Sequence, residues 1–186
     1  WHEHMAQPEQ GESRSAWRER MKQSILAAED KIEQVTGQRH QWLAYPYGEY
    51  SLELEQLVTE LGFIGIGQQS GAIGNNTALS RIPRYPAAGR YAQMDDLSQK
   101  LRTLPFHITD YHGVNPVSPA NPPTLTLTLK LDDFRPAQLQ CFAGSEVIKP
   151  QWLNDNTFSV TASAAFKGSR ARYNCTAPSL SKKGYF

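Results

Sequence analysis

No stretch of this sequence approaches the roughly 18 consecutive apolar residues of a membrane-spanning helix, so no such helix is expected. A dominant charge is missing too. Nineteen Lys and Arg stand against 18 Asp and Glu in 186 residues, a formal net charge of +1. Nucleic acid and anionic membrane surfaces are met by basic patches, so neither is expected as a partner. Cysteine is scarce, with only Cys141 and Cys175. Two are too few for a cysteine-type metal site. They read either as one disulfide, which favours an exported protein, or as two buried thiols. No nucleophile elbow, phosphate-binding glycine loop or Cys–His signature occurs. The chain opens at Trp1 and stops at the aromatic pair Tyr185-Phe186, and both ends read as cuts from something longer.

What is present falls into two patterns. From about Ser13 to Val35, Trp17, Met21, Ile25, Ala28, Ile32 and Val35 recur at steps of three and four, which predicts an amphipathic helix ended by Gly37. Trp42 to Tyr45 reads as a short buried strand broken by Pro46 and Gly48. A second helix is expected over about Ser51 to Leu61, with Leu52, Leu57, Val58 and Leu61 inward, then a strand over Phe63 to Gly67. Helix and strand in alternation is the rhythm of a parallel sheet or barrel. In barrels, sites gather at the C-terminal strand ends, where Gln68-Gln69-Ser70-Gly71 falls. Leu79 to Pro83 reads as one more strand, and Asp95-Asp96 as the start of a helix reaching about Thr103.

The second pattern begins after Phe106. Prolines 116, 119, 122 and 123 mark a linker, and from Thr124 to Leu131 threonine or lysine alternates with leucine as in a half-buried strand. Further strands are expected at about 138–143, 157–162 and 169–176, a sandwich-like spacing. The expected organisation is an α/β piece over 1–106, a linker over 107–123 and a small all-β domain over 124–186.

Four places could carry chemistry. Trp1-His2-Glu3-His4-Met5 offers imidazoles to a metal, against the plainer reading of exposed loop histidines. Ala44-Tyr45-Pro46-Tyr47-Gly48-Glu49-Tyr50 is a sharp turn whose backbone N–H groups could meet an oxyanion and whose rings could stack on a sugar, unless it is an ordinary aromatic turn. Gln69 lies in a donor-rich loop suited to hydroxyl recognition or to nothing in particular. Arg81 could orient a buried carboxylate or form a surface ion pair. His40, His107 and His112 have no partners at metal spacing.

Taken in order, Trp1–Met5, the long helix with Gly11-Glu12-Ser13 before it, Leu43 to Tyr50, Leu61-Gly62-Phe63, Gly67 to Gly71 and Leu79 to Pro83 resemble the second half of a bacterial NodB-like polysaccharide deacetylase. The resemblance runs from Trp1 to about Phe106. The linker and residues 169–178 resemble the small β domain of one exported subgroup. It implies the second half of a distorted (β/α) barrel followed by a sandwich-like domain, exported from a bacterium. It also implies hydrolysis of the acetamide of N-acetylated sugars in a chitin-like or cell-surface polymer, with a divalent metal, usually zinc.

Within that family the metal sits on one Asp and two His, and His2 aligns with the second histidine of an H-[S/T]-x-x-H motif. Tyr47 matches the residue whose backbone N–H helps bind the oxyanion. Tyr45, Pro46, Gln69 and Arg81 are the expected substrate contacts. Ala44 stands where many members have arginine, a departure that implies the subgroup with a Tyr-Pro-Tyr-Gly turn. The Asp-Asp pair, the first histidine of the motif and the usual late catalytic histidine have no match here. The resemblance therefore implies a missing N-terminal part of the same protein, without which this chain turns over nothing. The competing reading is a non-catalytic carbohydrate-binding or scaffold protein.

Overall fold

The computed structural model describes residues 3–112, 115–168, 170–181 and 184–186, and the chain divides into two units. The first comprises Trp1–Gln68, Thr77–Arg84 and Asn115–Val117; the second comprises Gln69–Asn76, Tyr85–Val114 and Ser118–Phe186.

Helix α1 (Arg14–Thr36) starts where Ser13 caps it, the Ser13 hydroxyl accepting from the Ala16 amide at 3.2 Å, and stops at Gly37. Trp17, Met21, Ile25 and Glu29 form its buried stripe. Past Ile25 the helix departs from the expected pattern, since Ala28, Ile32 and Val35 are exposed, Val35 by 76%. The fourth buried place goes to a carboxylate instead. Glu29 tolerates burial because its Oε1 accepts the backbone N–H groups of His40 and Gln41, the latter at 3.0 Å. Those bonds also fix the loop into β1 (Trp42–Ala44).

Strand β1 pairs in parallel with β2 (Ile64–Ile66), Trp42 opposite Ile64 and Ala44 opposite Ile66. Between them runs α2 (Leu52–Glu60), capped by the Ser51 hydroxyl, which accepts from the Leu54 amide at 3.2 Å. Leu54, Leu57 and Val58 are buried and Leu52 is exposed, so Leu54 replaces Leu52 in the expected inward set. Strand β1 is not the buried strand the sequence suggests. Trp42 is 60% exposed and Leu43 half-buried, because the core of this unit lies on one face of the pair, against α1 and α2. Of the expected strand at 79–83, a single parallel bridge forms, from Ile66 to Ile82.

Ahead of α1, both oxygens of Glu12 take Arg20, at 2.7 Å to Nε and 2.8 Å to Nη2, and one also accepts the Glu9 amide. The Arg20 hydrogen bonds, then that amide, pull the Glu12 carboxyl from its ordinary 4.5 down to about 2. The folded chain thus binds this proton less tightly than the unfolded one. The contribution of Glu12 is complete above about 4.5 and is lost as pH falls towards about 2. Denaturant titrations at pH 5, 3 and 2 should accordingly show a shallower acid loss of stability in Glu12→Gln than in the parent; parallel curves would contradict the assignment.

Among its described residues the second unit holds α3 (Met94–Lys100), with Asp95 and Asp96 in its first turn as expected, and seven strands. These are β3 (Ile108–Asp110), β4 (Leu125–Leu129), β5 (Gln140–Ala143), β6 (Glu146–Ile148), β7 (Gln151–Trp152), β8 (Thr157–Val160) and β9 (Tyr173–Thr176). They form two antiparallel sheets, in the orders β3-β4-β8-β7 and β6-β5-β9. Leu127, Leu129, Phe158 and Val160 from the first share one buried cluster with Cys141 and Ile148 from the second. Strand β3 lies inside the stretch read as linker: Ile108 pairs with Leu129, so that part is ordered by the sheet. Cys141 and Cys175 sit opposite each other on β5 and β9 and are joined as a disulfide. The chain is a mixed α/β molecule with three sheets among its described residues.

Candidate functional site

Parallel pairing brings the C-terminal ends of β1 and β2 to the same end of the pair. From β1 the chain enters a single helical turn, Pro46–Gly48, and from β2 it enters Gly67-Gln68. Tyr47 lies in the left-handed region at φ 57°, followed by Gly48 at φ 70°. A side chain at position 48 would meet the Gln68 Cβ at 2.6 Å, so the turn and the Gln68 side chain pack directly on each other. Left-handed backbone at a non-glycine residue costs energy and persists where its surroundings enforce it, a common condition at functional sites. Pro46 is half-buried and heads the turn, its carbonyl accepting from the Glu49 amide at 3.1 Å.

Tyr45 does something other than expected. It is 1% exposed, its ring stacks on Tyr50 with centroids 5.1 Å apart, and its hydroxyl donates to the Ser80 carbonyl at 2.6 Å. Burial above all, then the Glu55 carboxylate and Tyr50, pushes this phenol well above its ordinary range, so it stays a neutral donor. Tyr45, expected as a substrate contact, is enclosed by the fold in this structure. Tyr45→Phe keeps the packing and removes the donor, leaving Ser80's carbonyl unsatisfied. The expected loss is about 1–3 kcal/mol, read as a lower urea midpoint at unchanged slope.

Arg81 is likewise committed within the fold. Its Nη1 lies 3.4 Å from Glu55 Oε2, while the Ser80 hydroxyl donates to Glu55 Oε1 at 2.6 Å. Both charged side chains are largely buried, so of the two readings for Arg81 the structure selects the partner of an inward carboxylate. Gln69 is half-buried and belongs to the second unit.

His4 reaches the turn from the start of the chain. Its Nδ1 lies 2.8 Å from Glu49 Oε2, and its ring stacks on Tyr47 at 4.6 Å between centroids. Next to it, buried Met5 accepts a hydrogen bond from Trp17 Nε1 at 3.0 Å, which ties the segment to α1. Glu49, Glu55 and Ser80 were not singled out from sequence. Isolated polar residues carry no periodic signal, and only the fold shows that they meet Tyr45, Arg81 and His4.

His2, the expected metal ligand, lies outside the described residues. Among the described residues no three His, Cys, Asp or Glu side chains gather to hold a metal. His4, the nearest described imidazole in sequence, already engages Glu49 and Tyr47. The described residues do not make a metal site by themselves.

A family match covers residues 1–66, which include His2, His4 and the whole Tyr45–Tyr50 turn. The family is polysaccharide deacetylase. The resemblance read from the sequence motifs is thus borne out over that portion, while Gln69 and Arg81 lie beyond it. Among solved structures the chain is similar to the BpsB deacetylase domain from Bordetella bronchiseptica, at 28% identity and a TM-score of 0.38. That alignment covers 42% of this chain and 31% of the other, so this chain spans less than a third of its length. No curated protein matches.

Proposed function

We propose that this chain is the C-terminal portion of a metal-dependent polysaccharide deacetylase, hydrolysing the acetamide of N-acetylated sugars in a chitin-like or cell-surface polymer. The observation that carries the reading is the deacetylase match over residues 1–66 together with the left-handed Tyr47 turn at the C-terminal end of β1. In this reading the Tyr47 backbone N–H meets the oxyanion that forms as the acetamide is attacked. Tyr45, Ser80, Glu55 and Arg81 act behind it as the packed support of the turn. The proposed ion is divalent, zinc by preference. His2 is this chain's ligand for it, and the remaining ligands and the general base come from a preceding segment of the same protein. The parallel β1–β2 pair is then part of the distorted barrel, and the two antiparallel sheets a sandwich-like domain. The proposed location is outside the bacterial cytoplasm, a reading that the disulfide supports, since such bonds persist in oxidising compartments.

The test is acetate release from N-acetylglucosamine oligomers by the protein with its preceding segment, before and after chelation. Activity should vanish with chelator and in His2→Ala. It should largely survive in Tyr47→Gly, which keeps the amide and accepts the left-handed backbone. Loss in Tyr47→Gly equal to that in His2→Ala would remove the backbone role. No acetate release from any oligomer would leave the non-catalytic carbohydrate-binding or scaffold reading in its place.

A further inference from the structure

One cleft in the second unit is unused by the proposed reaction. It has a volume of about 540 Å³ and is lined by Asp95, Ser98, Gln99 and Arg102 on one side and Pro178, Gly184 and Tyr185 on the other. That volume lies in the ordinary range of small-ligand sites. We propose that it binds a stretch of N-acetylhexosamine chain, a saccharide subsite separate in sequence from the Tyr47 turn. The sugar class rests on the deacetylase reading; the site itself rests on the following geometry.

Positions 95, 98, 99 and 102 are spaced i, i+3, i+4 and i+7, so α3 and the turn that continues it present all four side chains along one stripe. The four supply what a polyhydroxylated ring needs. Asp95 only accepts, Arg102 only donates and in a fork, and Ser98 and Gln99 do both. Among the described residues these side chains make no hydrogen bond or ion pair with one another or with other groups. Asp95 and Arg102, of opposite charge, stand on the same stripe, so that wall carries no net charge, which suits an uncharged ligand rather than a phosphate or a cation.

Tyr185 supplies the apolar surface. The residue remains 53% exposed while its backbone is held on both sides, bridging to Thr103 in parallel and to Pro178 in antiparallel fashion. Its carbonyl accepts from the Leu104 amide at 2.6 Å. A ring on so fixed a backbone loses little conformational freedom when a pyranose face settles on it, and its hydroxyl stays in water.

The experiment is amide-resolved NMR titration of the full chain with the N-acetylglucosamine tetramer, alongside the glucosamine and glucose tetramers. Shifts should appear at Asp95, Ser98, Gln99, Arg102 and Tyr185 with the acetylated tetramer and be weaker with the other two. Tyr185→Ala and Arg102→Gln should each weaken binding about tenfold, and Tyr185→Phe should retain it. Shifts confined to Tyr45–Glu49 would overturn the cleft and leave the deacetylase reading standing. Equal shifts with the glucose tetramer would overturn the assigned sugar class. Cleft binding without acetate release by the longer protein would uphold the subsite and remove the reading it was built on.

Discussion

Replacing both cysteines by alanine is expected to lower the stability of the second unit by about 3–4 kcal/mol. Cys141 and Cys175 are 34 residues apart, and closing a loop of that length removes that much chain entropy from the unfolded state in the usual model. The bond also lies inside the structure: Cys141 is fully buried, and the pair joins β5 to β9 beneath the cluster that both sheets share. Of the three strands of that sheet, β5 and β6 are joined by a two-residue turn, while β9 returns after a long excursion. Docking β9 therefore carries most of the ordering cost, and the disulfide offsets it. In thermal unfolding the loss should read as a fall on the order of 10 °C, matched by the reduced parent chain. Equal melting of oxidised and reduced parent, with no mass change of two hydrogens on reduction, would show two free thiols.

Much of the fold was legible wherever local pattern and tertiary environment agree. The alternation from Thr124 to Leu131 is met by β4, because one face of that strand is buried. Helices α1 and α2 are readable from the spacing of their apolar residues. What failed did so for an identifiable reason. Ile32 and Val35 continue the apolar period of α1 but extend past the core, so periodicity alone places them wrongly. Glu29 breaks the period and is buried, because two backbone donors of the following loop satisfy it, and no spacing rule announces that. Strands β6 and β7 are three and two residues long, too short for alternation to show.

The candidate site was legible as a turn and illegible as a network. Proline followed by glycine within Tyr45–Tyr50 marks a reversal, and the structure places one there with Tyr47 in the left-handed region. That Tyr45 is buried while Tyr47 stacks on His4 is set by the turn at Pro46–Gly48 with Tyr47 left-handed, since strand parity alone would put positions 45 and 47 on one face. For Arg81 the sequence leaves a buried carboxylate and a surface ion pair both open, because its partner Glu55 lies 26 residues earlier, on the far side of β2 in sequence. Long-range pairs of this kind are set by the parallel crossover, not by any local signal.

The same crossover leaves no room for a side chain at Gly65. It sits at the centre of β2, opposite Leu43, where the strand passes beneath the Tyr45–Ser80 hydrogen bond. A Cβ there would lie 2.1 Å from the Ser80 carbonyl oxygen and 2.5 Å from the Tyr45 hydroxyl. Neither can withdraw cheaply. The Ser80 oxygen belongs to backbone held between the Leu79 carbonyl, which takes the Gly65 amide at 2.8 Å, and the Ile82 amide, which donates to Gly65 at 2.8 Å. Tyr45 is walled in by Tyr50 and the core. Gly65→Ala must therefore separate the 79–82 segment from β2 or expel the phenol. Overpacking and a broken buried hydrogen bond together put the cost at about 3 kcal/mol or more. The loss should exceed that of Tyr45→Phe, and the double variant should recover part of it, since deleting the hydroxyl removes one of the two clashes. Urea unfolding of the three variants measures this. Gly65→Ala within about 0.5 kcal/mol of the parent, the ordinary range for a surface change, would show that the close passage of Ser80 over β2 is not how the chain is built.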